Sequence, residues 1–325
     1  MSDATSYRCP YCRTESAGAG TSCPNCGAPV DVRQRTTTSG WTEVPPIADM
    51  ARIQLGQSSC QIAGKFVPAA EVTLAAGDTM YFPHSSLLWQ EPSVAVTAMS
   101  LRKAWSRMRA GLPIVMLQAA GPGRIAFSHD TAGELLAVPL QPGASVDVRE
   151  HQMVAATGAV GYDWFDSGIW FVTSGQSRQD QAGGAKLLRM GLDLAGMAGD
   201  GDVDRGNETE YHYPLGQYLD RFTAGTTPGA VLIQVGGNAF LRDLGEGESI
   251  LVKPPSLLYK DPSVSLQLHV EFPHAGVKFW RSWGNRYMWL RLTGPGRIAL
   301  QSSYDRLEDP GSDFRDSCGF TQRVW

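Results

Sequence analysis

The sequence predicts a mainly β protein, in which a repeated antiparallel β body with pseudo-threefold symmetry follows a small zinc ribbon. Three observations support this prediction. Two CxxC motifs lie near the start of the 325-residue chain, and one unit of sequence recurs three times in the remainder. The chain also contains 36 glycines and 20 prolines, which indicate many turns and disfavour long helices. With 42% hydrophobic and only 18% charged residues, it can bury a large core.

The zinc ribbon is predicted over residues 1–31, where two CxxC knuckles are separated by ten residues. Each knuckle brings two thiolates together, so the pair supplies the four sulfurs of a closed structural Zn²⁺ site, with one ion per chain. The expected ligands are Cys9, Cys12, Cys23 and Cys26. Two disulfides or a redox CxxC are the alternatives, which a reducing compartment and the lack of a surrounding βαβ pattern disfavour. The polar residues between the knuckles cannot form a core, so metal binding is expected to drive folding of the ribbon.

A linker is predicted over residues 32–50, because this stretch is polar and contains the pair Pro45-Pro46. The ribbon is therefore expected to hang on a tether. It either contacts a partner or has no binding role of its own. Residues 51–325 are assigned to a three-repeat β domain.

The repeats are three segments that align without a gap, each starting at Gly and ending at Val seventeen positions later. They are Gly77–Val94, Gly143–Val160 and Gly247–Val264. A leucine lies three positions before each glycine, and a Pro-Gly pair followed by an apolar strand closes each round. These residues are Leu74, Leu140 and Leu244, and Pro122, Pro228 and Pro295. The alternation of apolar and polar residues between close turns is typical of half-buried antiparallel strands.

Gap-free repeats preserve strand register, so we expect equivalent positions to be buried together and the three prolines to mark equivalent turns. The expected core positions are Phe82, Val148 and Val252, with Leu88, Val154 and Leu258.

The second round is longer than the others, which predicts an insertion at about 175–217. Within it, Asp200, Asp202 and Asp204 alternate as in the first half of a calcium loop. The glycine and glutamate that complete such a loop are missing. We therefore expect this stretch to be a solvated acidic loop, with calcium binding as the alternative.

The Leu-x-x-Gly repeats, the Pro-Gly-Arg-Ile strands and the three-round organisation resemble the altered-inheritance-of-mitochondria family. Its members share a fold similar to that of the tryptophan RNA-binding attenuator protein. The resemblance covers roughly Ala51 to Ser303, with the ribbon as an added module. It implies a compact β body, but neither an agreed activity nor a catalytic motif. The tryptophan and RNA contacts of the attenuator protein match no position of this sequence, and the insertion departs from the simplest family pattern.

Two basic and aromatic loops occupy corresponding places in the first and third rounds. Their residues are Arg102, Lys103, Trp105, Arg107 and Arg109, and Lys278, Trp280 and Arg281. Such loops can bind phosphates and stack bases, or can contact a membrane or a protein. They can equally be pinned to the body by their aromatic rings while their cations stay in water.

Taken together, these features predict a non-enzymatic interaction or scaffold protein with a protein partner. A nucleic-acid-binding module that uses the basic and aromatic loops, and a cryptic hydrolase, are the alternatives. The formal charge of −4 provides no general attraction to nucleic acid. Known catalytic sequence motifs are missing. Without a secretory signal or a long apolar run, the expected location is the cytoplasm.

Overall fold

A computed structural model describes the chain over residues 6–9, 11–17, 22–28, 37–47, 49–99, 116–129, 132–175, 208–271 and 287–304. Over these ranges the chain forms antiparallel β-strands and two single-turn 3-10 helices, with no α-helix. The predicted mainly β class is therefore confirmed. None of the helices within these ranges is long and apolar enough to cross a membrane.

Five strands precede the first round. They are β1 (Ser6–Arg8), β2 (Glu15–Ala17), β3 (Thr42–Val44), β4 (Arg52–Leu55) and β5 (Ser58–Ala63). Strands β1 and β2 form a hairpin in the ribbon, whereas β4 and β5 form a hairpin at the edge of the body. Strand β3 lies in the predicted linker 32–50, yet it pairs with a strand of the third round. The division of the chain into domains stays a prediction.

Each round then contributes six strands in the same order, which we call a to f. Round 1 contains β6 (Ala69–Leu74), β7 (Thr79–Pro83), β8 (Leu87–Gln90), β9 (Ala95–Met99), β10 (Met116–Ala120) and β11 (Gly123–Phe127), with one 3-10 turn at His84–Ser86. Round 2 contains β12 (Glu134–Leu140), β13 (Ser145–Arg149), β14 (Met153–Thr157), β15 (Val160–Asp166), then the extra hairpin β16 (Phe171–Gly175) and β17 (Glu208–His212), then β18 (Tyr218–Ala224) and β19 (Gly229–Val235). Round 3 contains β20 (Ala239–Leu244), β21 (Ser249–Val252), β22 (Leu257–Lys260), β23 (Ser265–Glu271), β24 (Tyr287–Thr293) and β25 (Gly296–Gln301), with the second 3-10 turn at Pro254–Ser256.

Strand pairing within a round is the same in all three copies. Strand a pairs with f, f with c, b with e, and e with d. The repeat leucine always faces the glycine that starts strand f: Leu74 with Gly123, Leu140 with Gly229, and Leu244 with Gly296. The Pro-Gly elements therefore mark equivalent turns, as predicted.

Neighbouring rounds are joined where strand b of one round pairs with strand c of the next. Tyr81 of β7 faces Ala156 of β14, and Asp147 of β13 faces Lys260 of β22. In both junctions, the fourth residue after the repeat glycine of one round faces the thirteenth residue after the repeat glycine of the following round. A single register thus joins round 1 to round 2 and round 2 to round 3.

The third junction is open. Strand β21 lies at the edge of the sheet β21-β24-β23, and β8 lies at the edge of the sheet β4-β5-β6-β11-β8; across the described residues the two edges are not paired. Leu88 of β8 is consequently 55% exposed, whereas its equivalents Val154 and Leu258 are buried. The prediction that Leu88 lies in the core is therefore wrong, because no neighbouring round covers its strand.

The other predicted core positions are buried, including Phe82, Val148 and Val252. Each lies on a strand b, five residues after its repeat glycine, so the gap-free spacing placed all three on the inner face. The prediction for these residues is confirmed.

The junction between rounds 2 and 3 contains an ion triad in which Asp147 and Lys260 are buried and Arg221 is partly exposed. The carboxylate of Asp147 accepts hydrogen bonds from Arg221 Nε at 2.6 Å and from Lys260 Nζ at 2.8 Å. Both cations lie directly opposite Asp147, on the strands to either side of it. Burial by itself would raise the pKa of Asp147, but the hydrogen bonds from Arg221 and Lys260 outweigh it and lower that pKa.

We predict that Asp147→Asn destabilises the protein by about 3–5 kcal/mol, because it leaves the buried Lys260 ammonium without a counter-charge. The lowered native pKa means that Asp147 contributes stability above the carboxyl's ordinary pKa of 3.8, and that this contribution disappears as pH falls through the native pKa. Urea unfolding midpoints measured from neutral pH into acid should therefore fall less steeply for the variant than for the wild type. Exposed Glu246→Gln, which lies in a turn away from the triad, is the control and should change stability by less than ~0.5 kcal/mol.

Candidate metal centre

Two tight turns hold the cysteine knuckles. In the first, Arg13 N donates to Cys9 O at 2.9 Å, and Cys9 N donates to Thr14 O at 3.0 Å. In the second, Gly27 N donates to Cys23 O at 2.8 Å. The residue after each knuckle is left-handed, with φ of 60° at Arg13 and 72° at Gly27. This turn reverses the chain so that the two sulfurs of a knuckle point the same way.

The four predicted ligands converge on one point. The Sγ atoms of Cys9, Cys12, Cys23 and Cys26 all lie within 4.8 Å of one another. Cys9 Sγ lies 3.7 Å from Cys26 Sγ, and Cys12 Sγ lies 3.6 Å from Cys23 Sγ. Four sulfurs placed tetrahedrally at ~2.3 Å from a zinc ion would be roughly 3.8 Å apart. The cluster therefore has the size of a four-thiolate metal site and could hold an ion.

The cluster is closed to solvent, since Cys9, Cys23 and Cys26 are buried and Cys12 is half-buried. Hydrogen bonds among the four sulfurs lower the pKa of Cys12 and raise the pKa of Cys9 and Cys26, so the thiols share protons that a bound metal would displace. Asn25 also donates through Nδ2 to Cys12 Sγ at 3.9 Å. All four positions around a bound ion would be taken by sulfur, so the site has no place for a catalytic water.

A charged bridge docks the ribbon on the body. Arg13 Nη2 lies 2.6 Å from Asp243 Oδ1, and Arg297 contacts the same carboxylate with two nitrogens, at 2.9 and 3.0 Å. Arg297 Nη1 also donates to the backbone oxygen of Tyr11 at 2.7 Å. The hydrogen bond from Arg297 is the largest cause that lowers the pKa of Asp243, and the contact with Arg13 lowers it further.

Close packing docks the second knuckle. A Cβ added to Gly27 would lie 2.8 Å from Ile47 Cγ2 and 3.4 Å from Ile53 Cδ1, so the knuckle backbone rests against these two side chains. Gln54 N donates to Pro24 O at 2.8 Å. The ribbon cysteines belong to the same buried apolar cluster as the body. The expectation that the ribbon hangs on a tether is therefore wrong: the ribbon is packed on the body, because its cysteine knuckles bury apolar surface there.

Asp243 and Arg297 were not singled out from the sequence. Arg297 belongs to the Pro-Gly-Arg-Ile element of round 3, and Arg124 occupies the same place in round 1. Arg124 pairs with Glu91 of its own round, whereas Arg297 reaches the ribbon. The arginine that recurs in two of the Pro-Gly elements is visible in the sequence. Its contact with the ribbon is not, because Tyr11 lies far from Arg297 along the chain.

Other sequence candidates contribute no second site among the residues described. Cys60 is buried, and burial raises the pKa of its thiol to about 12, so it stays protonated and unreactive. The basic and aromatic residues at 102–109 and 278–281 lie outside the described ranges, as does the acidic stretch at 200–204.

The fold and site define a class: a three-round antiparallel β protein with a docked four-cysteine ribbon. The family model described as mitochondrial biogenesis AIM24 matches residues 60–303, and the chain belongs to this family. The match begins after the ribbon, so the cysteine cluster lies outside the matched region.

Among solved structures, the chain is similar to protein SPYM3_0169 from Streptococcus pyogenes, with 15% identity and a TM-score of 0.48. The similarity covers 76% of this chain and 94% of that one. The comparison with curated proteins found no match.

We predict that the purified wild type contains one equivalent of metal and that Cys9→Ser loses most of it, because one of four sulfur ligands is removed. Elemental analysis of protein prepared without chelator measures this directly. Cys60→Ser is the matched control, since Cys60 lies outside the cluster and should leave the metal content unchanged. Equal metal in wild type and Cys9→Ser would contradict the assignment.

We also predict that Asp243→Asn weakens docking of the ribbon without removing a ligand, since Asp243 is held by both Arg13 and Arg297. Metal release to a colorimetric chelator should become several-fold faster, while the metal content at the start stays at one equivalent. Asp163→Asn should release metal at the wild-type rate. An unchanged rate in Asp243→Asn would show that the bridge does not support the site.

Proposed function

We propose that this chain is a non-enzymatic interaction or scaffold protein, in which a structural Zn²⁺ ion holds the ribbon in shape on the β body. The observation that carries this proposal is the closed set of four cysteines together with its docking bridge. A metal enclosed by four sulfurs supports folding, whereas catalytic zinc keeps one position open for water or substrate. The family match is consistent with a role of this kind.

Zinc is the ion that the ligand set favours. Thiolates are soft ligands, and a tetrahedral arrangement of four of them is typical of Zn²⁺ or of an iron–sulfur site. Two CxxC knuckles with the observed sulfur separations match the structural zinc sites of ribbons and fingers. In such modules the free energy of metal binding is also the free energy of folding.

The titratable groups in the described part of the chain support a structural role. Asp147 is held by two cations and fully buried in a sheet, so its carboxylate does not face solvent. Asp243 is engaged by two arginines in the docking bridge. Cys60 is buried with a raised pKa. Each of these three groups thus has a partner or an environment that explains its shifted pKa without catalysis.

A protein partner is the binding partner that we propose, and the cytoplasm is the proposed location. Free rather than disulfide-bonded cysteines in the ribbon fit a reducing compartment. The net charge of −4 disfavours a general affinity for nucleic acid. Binding of RNA through the basic residues at 102–109 and 278–281 is the competing function, which rests on the sequence of those two stretches.

Affinity purification of the tagged full-length chain from its native cells, with and without nuclease, tests this proposal. We expect one set of proteins to be recovered in both preparations and to be lost with Cys9→Ser, but retained with the control Cys60→Ser. Loss of the set after nuclease treatment would favour nucleic-acid binding. Direct binding of labelled single-stranded RNA that weakens steeply with salt would favour it further, since phosphate contacts release counterions.

A further inference from the structure

We propose that the open third junction is completed by a second copy of this chain, with strand β8 of one copy pairing with strand β21 of the next. The two closed junctions inside the chain show what such a pairing looks like. Each joins a strand b to a strand c in one antiparallel register. Of the six b and c strands described, only β8 and β21 lack this partner.

The closed junctions fix the register expected between copies. The fourth residue after the glycine of round 3 is Leu251, and the thirteenth residue after the glycine of round 1 is Gln90. These two residues should therefore face each other, as Asp147 and Lys260 do within the chain. Val252 should then face Trp89, in the way that Val148 faces Tyr259.

The exposed surface of β8 is suited to such a contact. Leu88 and Trp89 are 55% and 40% exposed. The equivalent residues of rounds 2 and 3 are buried, and their strands each pair with strand b of a neighbouring round. A strand with the sequence Leu-Leu-Trp-Gln carries no charge and no proline, the features that usually protect a sheet edge from pairing. An edge of this kind is a template for another strand.

A second copy is the occupant that the fold favours, because each copy carries both halves of the junction. The expected register places Leu251 opposite Gln90 and Val252 opposite Trp89, so no two like charges meet. The two edges are different surfaces, so the contact is head-to-tail rather than two-fold. Such contacts form closed rings when the rotation closes and filaments when it does not.

Disulfide trapping between copies tests this proposal. Gln90→Cys and Leu251→Cys are made as separate full-length variants, each with Cys318→Ser to remove one competing thiol. Directly opposed residues of an antiparallel pair have Cα atoms roughly 4.5–5.5 Å apart, which a disulfide can span. After mixing and mild oxidation, we expect a crosslinked species of twice the 35.2 kDa chain mass that contains one copy of each variant.

The control replaces Gln90→Cys with Thr97→Cys, which lies on the exposed edge strand β9 and has no predicted partner in β21. This mixture should give no mixed crosslink. A crosslink within one chain in the double variant Gln90→Cys/Leu251→Cys at high dilution would overturn the proposal, because the junction would then close internally. A disulfide formed by Gln90→Cys alone would also overturn it, since β8 would be pairing with β8.

Assembly without crosslinking is the second measurement. Sedimentation of the wild type across micromolar concentrations should show species heavier than one chain, and Trp89→Lys should shift the population toward the monomer, because a lysine on the edge disfavours pairing. Trp89 is exposed, so the variant should keep the wild-type circular dichroism spectrum and metal content. A wild type that stays monomeric at every concentration would refute the proposal.

Discussion

The antiparallel register between strand b of one round and strand c of the next is the constraint on which the rest of the structure depends. Side chains alternate between the two faces of a strand, so a slip of one residue would move every side chain to the opposite face of its sheet. The register is the same at both closed junctions, where Tyr81 faces Ala156 and Asp147 faces Lys260. It keeps Phe82 and Val148 in the core, and it joins strands of two neighbouring rounds into one sheet at each closed junction.

The two closed junctions use different chemistry in the same register. Tyr81 and Ala156 are uncharged and buried opposite each other, whereas Asp147 forms an ion pair with Lys260 in a buried position. Buried ion pairs add little net stability over apolar residues, but a mismatched partner would leave a charge buried alone. We infer that the ion pair favours pairing of strand β22 of round 3 with strand β13 of round 2 over pairing with a strand of another round. Specific pairing of this kind matters in a chain whose three rounds share one backbone plan.

The third round also receives the ribbon. Asp243 and Arg297 face each other on neighbouring strands β20 and β25, so the sheet positions both side chains before the ribbon docks. The cysteine cluster and the body are thus linked through the Asp243 carboxylate and the backbone oxygens of Tyr11 and Pro24, in addition to the packing of Gly27 on Ile47. The body thus holds in place a ribbon whose four sulfurs could bind a metal ion.

Local patterns in the sequence determined the β class, the order of the repeated strands, the buried positions Phe82, Val148 and Val252, and the four cysteines that converge. These properties depend on spacing and periodicity, which are visible along the chain. Only the tertiary structure decided that Leu88 is exposed and that the ribbon docks on the body. Whether a strand finds a partner depends on segments far away: Arg13 and Asp243 are separated by 230 positions. No short-range pattern encodes such a contact, because its free energy comes from surfaces that meet only after the sheets have formed.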